Sequence, residues 1–197
     1  MRAMNSNAMI QFNQWFREAV DADMVEPNAM SLATVSSNGQ PTLRTVLYKG
    51  LTKENGISFY TNYDSRKAKD ILANPFGALL FCWLPMVRQI RVEGRIKKLS
   101  PEQSESYFHS RPRGSQIGAW VSNQSSEIES RDVLATRKEE IELRFKDVDK
   151  IPLPPFWGGY QLVPHRIEFW QGNDDRLHDR FSYELVEEIW EMVRLAP

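Results

Sequence analysis

The chain has 197 residues, 41% hydrophobic and 26% charged, which suits one sizeable core and excludes a disordered chain. The formal net charge of −1 excludes the basic excess of a general nucleic-acid binder, while local basic clusters keep phosphate-bearing small molecules in play. Cys82 is the only cysteine, so an intrachain disulfide and a cysteine-based zinc site are excluded, and with three widely spaced histidines no metal is expected.

The N-terminus carries no signal-peptide pattern, and no apolar run is long enough to span a membrane, so a cytoplasmic protein is expected. In the N-terminal region, 1–26, Phe12, Trp15, Phe16, Ala19 and Val20 recur at helical spacing and predict an amphipathic helix. Pro27-Asn28 closes it. Leu32 to Val35 then reads as a strand, Asn38-Gly39 as a hairpin turn and Thr42 to Lys49 as the partner strand. Asn55-Gly56 is a second turn signal before a strand over Ile57 to Thr61. Close strands with tight turns point to an antiparallel barrel or sandwich. No G-x-G-x-x-G follows a strand, which argues against a dinucleotide-binding α/β fold.

Asp64 or Ser65 caps a predicted helix that runs to about Ala73 and ends at Asn74-Pro75. Arg66 and Lys67 in its first turn oppose the helix dipole, an arrangement that makes sense if an anion binds there; two solvated charges are the plainer alternative. Gly77 to Leu84 and Val87 to Leu99 read as a longer strand pair, with Cys82 expected as a buried, inert thiol. Ser100-Pro101-Glu102-Gln103 is a capping box, and Pro112 should end the helix that it starts. Tyr107 and Arg111 lie one turn apart on that helix, with Ser115 close behind. A phenol, a guanidinium and a hydroxyl together suit a phosphate; a helix C-terminus with its usual cation is the plainer alternative.

A charged amphipathic helix is expected over Ile128 to Phe145, packing through Leu134, Ile141 and Phe145. Pro152-Leu153-Pro154-Pro155 is a stiff connection. Strands are expected over Gly159 to Val163, Arg166 to Gln171, Phe181 to Val186 and Ile189 to Leu195. No internal repeat and no second domain is visible, so residues 1–197 read as a single domain, mainly β with flanking helices.

The most informative stretch is Glu168-Phe169-Trp170-Gln171 followed by Arg176-Leu177-His178-Asp179-Arg180. If it is extended, alternation puts Arg176, His178 and Arg180 on one cationic face suited to an anionic or electron-rich ligand. A hairpin rim whose arginines pair with Asp174, Asp175 and Asp179 is the plainer reading. This stretch resembles the C-terminal signature of the pyridoxine/pyridoxamine 5′-phosphate oxidases, E-[FY]-W-x5-R-[apolar]-H-[DNE]-R, at every fixed position. The similarity extends from about Met30 to Pro197 through blocks such as Arg44-Thr45-Val46-Leu47-Tyr48-Lys49, Ser65-Arg66-Lys67, Ser115-Gln116-Ile117-Gly118-Ala119-Trp120 and Arg194-Leu195-Ala196-Pro197.

The resemblance implies an antiparallel split β-barrel and a homodimer with FMN at the subunit interface. Carried over by position, Arg66 and Lys67 hold the FMN phosphate, and Arg44, Val46, Leu47, Tyr60, Thr61 and Gln89 line the flavin. Gln124, Ser125, Trp170 and Arg180 complete that site, partly from the second chain. Lys49, Tyr107, Arg111 and Ser115 grip the substrate phosphate, and Arg176 and His178 lie over the substrate ring as the catalytic pair. Arg44 and Lys49 fall on opposite faces of a regular strand, so one site needs a bulge or a strand end between them, or two faces touching different parts of the pocket. The implied reaction oxidises phosphorylated B6 vitamers with O2. A phenazine-type FMN oxidase and a non-catalytic flavin or pyridoxal-phosphate carrier are the alternatives. The basic arm that some family members carry ahead of the first helix is not matched in this sequence.

Overall fold

A computed structural model describes residues 4–197. In chain order the elements are α1 (Ala8–Asp21), β1 (Ala29–Val35), β2 (Pro41–Leu47), β3 (Ile57–Asn62), α2 (Arg66–Ala73), β4 (Phe76–Trp83), β5 (Arg88–Lys98), α3 (Pro101–Ser110), α4 (Arg113–Val121), α5 (Asp132–Arg144), β6 (Trp157–Gln171), β7 (Asp179–Val186) and β8 (Ile189–Leu195). The eight strands form one antiparallel sheet ordered β2-β1-β4-β5-β6-β7-β8, with β3 added on β6.

The split in the barrel follows from β6. This 15-residue strand keeps β5 along one edge. On its other edge Trp157 to Leu162 pair with β3, and Arg166 to Gln171 pair with β7. The change of partner falls at Pro164, which has no N–H to donate. Opposite it, the β5 register slips between Glu93 and Gly94. Gly94 is required there, because a Cβ would lie 2.2 Å from the Val163 carbonyl oxygen. The sequence reading placed two strands where one runs through, since a proline mid-strand normally ends pairing; here the bulge absorbs it.

Two apolar clusters result. In the barrel core, α1 lays Phe12 and Trp15 onto the sheet, ring to ring with Phe81 at 5.3 Å and Phe169 at 5.2 Å. Burying each such side chain contributes about 1.5–3 kcal/mol. Asn7 starts α1 by accepting from the Met9 and Ile10 N–H groups. Val20, expected on the packed face, is exposed. The second cluster joins α3, α4 and α5 through Phe108, Ile117, Phe145 and Ile151, and reaches Trp157 at the start of β6. Leu134 and Ile141 pack against it, as their spacing predicts. The helix carrying them begins at Asp132, not Ile128, and α4 was not anticipated. The capping box of α3 forms, with the Gln103 N–H donating to Ser100 Oγ and the Ser100 N–H to Gln103 Oε1.

Cys82 corrects another expectation: it is exposed. Strand alternation sends Phe81 and Trp83 into the core and turns Cys82 outward, so the thiol expected inside faces out. No described helix is long and apolar enough to cross a membrane.

Candidate active site

A cleft of about 530 Å³ opens where the two clusters meet. Its walls include Val46, Leu47 and Lys49 from the end of β2, Tyr60 and Thr61 from β3, and Lys67 from α2. Tyr107, Arg111, Ser115 and Gln124 close it from the helical side, with Trp157 at its base. Ten of the residues expected at the cofactor or substrate thus share one cavity.

The Lys49 question is answered by a strand end. β2 stops at Leu47, and the Lys49 N–H then bonds to the Ser58 carbonyl, ahead of Gly50 at φ +112°. Lys49 swings over the Tyr107 ring, 5.8 Å from its centroid. Arg44 stays behind the cleft. Its Nη1 donates to Thr34 Oγ1 and the Leu32 carbonyl, and its Nη2 to Thr42 Oγ1. Both hydroxyls pass the charge on by donating to Asp70, at 2.7 and 2.8 Å. Burial alone would raise the Asp70 carboxyl; the threonine bonds, Arg44 and Arg66 reverse this and hold it below its ordinary value.

The N-terminus of α2 is under-satisfied. Ser65 is fully buried at the cap position, yet its hydroxyl makes no cap bond and has no partner. An orphaned hydroxyl costs about 1–3 kcal/mol unless a ligand takes it. Beside it, the Arg66 N–H meets Ser125 Oγ at 3.3 Å, and Lys67 Nζ donates to Gln124 Oε1 at 2.7 Å and Thr61 Oγ1 at 3.2 Å. Burial, then the charge of Arg44, push the Lys67 ammonium down to about 8. A hydroxyl without a partner, a helix start and a lysine pressed to lose its proton together fit a phosphate group.

The other end of the cleft is similar. Arg111 stacks on Trp157 at 4.7 Å and donates Nη2 to the Ser115 carbonyl, while its buried Nη1 has no partner. Burial lowers its pKa, with Tyr107 opposing. Tyr107 and Tyr60 stack at 3.8 Å, and Trp157 continues the stack 5.5 Å from Tyr60. Trp157 was missed by sequence reasoning. Its only signal is the glycine pair that follows, where a Cβ on Gly158 or Gly159 would strike Tyr63 or Tyr60.

Gln89, Trp170, Arg176, His178 and Arg180 do not join this cleft. Cross-strand registry aligns Cys82, Gln89, Trp170 and Arg180 in one row on the sheet face away from the core. His178 lines a separate cavity of about 360 Å³ with Arg194 and the C-terminal residues. The expected alternation of Arg176, His178 and Arg180 fails. β7 begins only at Asp179, and residues 174–176 form a 3₁₀ turn with Asp175 and Arg176 at positive φ, because the chain must reverse between β6 and β7. The plainer alternative, in which these arginines pair with Asp174, Asp175 and Asp179, does not hold either: Asp179 pairs with Arg194, and Arg180 with Glu168. The His178 ring lies 4.7 Å from Trp170, and its Nδ1 accepts from the Asn173 N–H at 3.2 Å, so a neutral ring carries its proton on Nε2.

An antiparallel split barrel with a cleft fitted for anionic groups defines a protein of the flavin-binding split-barrel class. A family profile described as pyridoxamine 5′-phosphate oxidase matches residues 16–145, and one described as the pyridoxine 5′-phosphate oxidase C-terminal dimerisation region matches residues 157–197. The chain belongs to the pyridoxine/pyridoxamine 5′-phosphate oxidase family, an enzyme family whose cofactor is FMN. It is 54% identical to a pyridoxine/pyridoxamine 5′-phosphate oxidase of Paraburkholderia phytofirmans over 98% of this chain and 91% of that one. Identity to the enzyme of the same name from Rippkaea orientalis is 53%, with the same coverage. Among solved structures, PhzG from Burkholderia lata, in complex with tetrahydrophenazine-1-carboxylic acid, superposes with a TM-score of 0.91 at 28% identity, covering 98% of this chain and 94% of that one.

Proposed function

We propose that residues 1–197 act as one cytoplasmic, FMN-binding domain that oxidises pyridoxine 5′-phosphate and pyridoxamine 5′-phosphate to pyridoxal 5′-phosphate. O2 is the acceptor; H2O2 is released, and the amine substrate also takes up water and releases ammonia. The observation that carries this reading is that two of the four unpartnered buried side-chain donors among the described residues, Ser65 Oγ and Arg111 Nη1, lie at the two ends of the cleft. They call for two anionic groups, one at the α2 end and one at the α3 end, as a phosphorylated cofactor and a phosphorylated substrate supply.

In this reading Arg66, Lys67, Ser65 and, in support, Arg44 hold the FMN phosphate, with Gln124 and Ser125 closing over it. Val46, Leu47, Tyr60 and Thr61 line the flavin. Lys49, Tyr107, Arg111 and Ser115 bind the substrate phosphate and so fix the distance of its C4′ carbon from the flavin. When bound, FMN accepts a hydride equivalent and delivers electrons to oxygen. Gln89, Trp170 and Arg180 meet the cofactor from a second copy of the chain, and Arg176 and His178 of that copy orient the substrate ring, His178 through Nε2. The dimerisation profile, which spans Trp170 to Arg180, supports that arrangement.

Aerobic incubation of FMN-loaded protein with each substrate, following aldehyde and H2O2 together, tests the reading. Both products over many turnovers are expected. Bound flavin without turnover on either substrate would overturn it in favour of a phenazine-type oxidase or a carrier.

A further inference from the structure

Glu168 opens the E-F-W signature, yet neither its spacing nor its resemblance gives it a task. Its side chain is only 4% exposed, on the same sheet face as Trp170 and Gln89. Its carboxylate accepts from Arg180 twice, from Nε at 2.9 Å and Nη2 at 3.2 Å, and from Arg91 Nη2 at 2.8 Å. Arg180 Nη1 donates to the Ala196 carbonyl at 2.9 Å. A guanidinium has five N–H groups in a fixed plane, so these bonds leave two, one on each terminal nitrogen, directed away from Glu168. Arg91 lies on the solvent side, half exposed, and also pairs with Glu93 at 3.2 Å.

We infer that Glu168 is a positioning residue: it clamps Arg180 side-on, so that the two remaining N–H groups form a preset fork for acceptors on the edge of the bound cofactor. Arg91 shares the second oxygen and fixes the carboxylate's own plane. This inference rests on the FMN reading above for the identity of the acceptor, but not for the clamp itself. A free arginine side chain would have to lose rotamer freedom on binding; one held by a buried carboxylate has lost it already.

Glu168→Gln tests the clamp, since the amide offers one acceptor oxygen to three donors and turns an NH2 toward a guanidinium. Apo protein, with ¹⁵N-labelled arginine, is read by NMR. Wild type should show a slowly exchanging Arg180 Nε–H signal, assigned by its loss in Arg180→Lys, and E168Q should lose it. Persistence of the signal in E168Q overturns the inference. FMN titration supplies the second readout. E168Q and Arg180→Ala should each weaken FMN binding by about tenfold or more, and the double variant should lie within about twofold of R180A alone. Losses that multiply would show that Glu168 acts other than through Arg180 and would also overturn it. Glu168→Asp replaces E168Q in the same cycle if the glutamine variant does not fold. Wild type that takes up no FMN would overturn the proposed function, while the apo signal would still decide the clamp.

Discussion

The two cationic regions of this protein are finished to different degrees. Around Arg180 the protein supplies its own counter-charge: a buried carboxylate and a carbonyl take up three of the guanidinium's donors before any ligand arrives. In the cleft the opposite holds. Lys67 meets only amide and hydroxyl oxygens, Arg111 keeps a buried nitrogen unpartnered and Ser65 an idle hydroxyl. A region already neutralised orients; a region left in electrostatic debt recruits. The cleft therefore sacrifices stability of the empty protein for affinity toward phosphates, and the Arg180 region does not.

The largest expected effect that separates the two is at Arg111. Arg111→Ala should lower kcat/KM for the phosphorylated substrates by about 100-fold, the value of one or two charge-assisted bonds at 1.5–3 kcal/mol each. Oxidation of unphosphorylated pyridoxine, however slow, should change far less. Equal losses on both would show that Arg111 serves the fold or the flavin instead.

Ser65→Ala sharpens the contrast from the side of stability. FMN affinity should fall about fivefold to tenfold, whereas the melting temperature of the apo protein should hold or rise, because a buried donor without a partner has been removed. A lower apo melting temperature would mean that the hydroxyl has a structural partner.

The mildest effect is in pH. Free Lys67 titrates near 8, lowered by burial and then by Arg44. A bound phosphate favours the ammonium and raises that pKa, so binding takes up a proton between the two values. FMN affinity should be level between about pH 7, where the phosphate is doubly ionised, and pH 8, and should weaken above it by no more than about tenfold per pH unit. Lys67→Arg should abolish the break. A titration slope that persists in that variant would assign it to another group.

Much of the fold was legible because its signals are local. The capping box at Ser100, the turn at Asn38-Gly39 and the helical stripe through Phe12 and Trp15 each depend on a few neighbouring residues. The errors arose where a distant partner decides the outcome. Pro164 stays within a strand because Gly94 yields opposite it. Cys82 faces outward because alternation is set by its neighbours in the core. At the site, the family pattern named the residues that meet in the cleft, but the bare residues could not reveal that Ser65 lacks a partner, that Trp157 carries Arg111, or that a 3₁₀ turn with Arg176 at positive φ breaks the alternation with His178. Those facts belong to packing between elements far apart in sequence.

The partner exchange along β6 has a genetic consequence. One strand begins at Trp157, in the phosphate cleft, and ends beside Trp170, in the Arg180 region. If each complete site draws the first from one copy and the second from the other, the lesions Arg111→Ala and Arg180→Ala should complement. A mixed dimer gathers both defects into one site and leaves its twin whole. Co-refolding the two weak variants in equal amounts should restore about a quarter of wild-type activity, since half the dimers are mixed and each has one intact site. Two alleles, each failing alone, would support growth together.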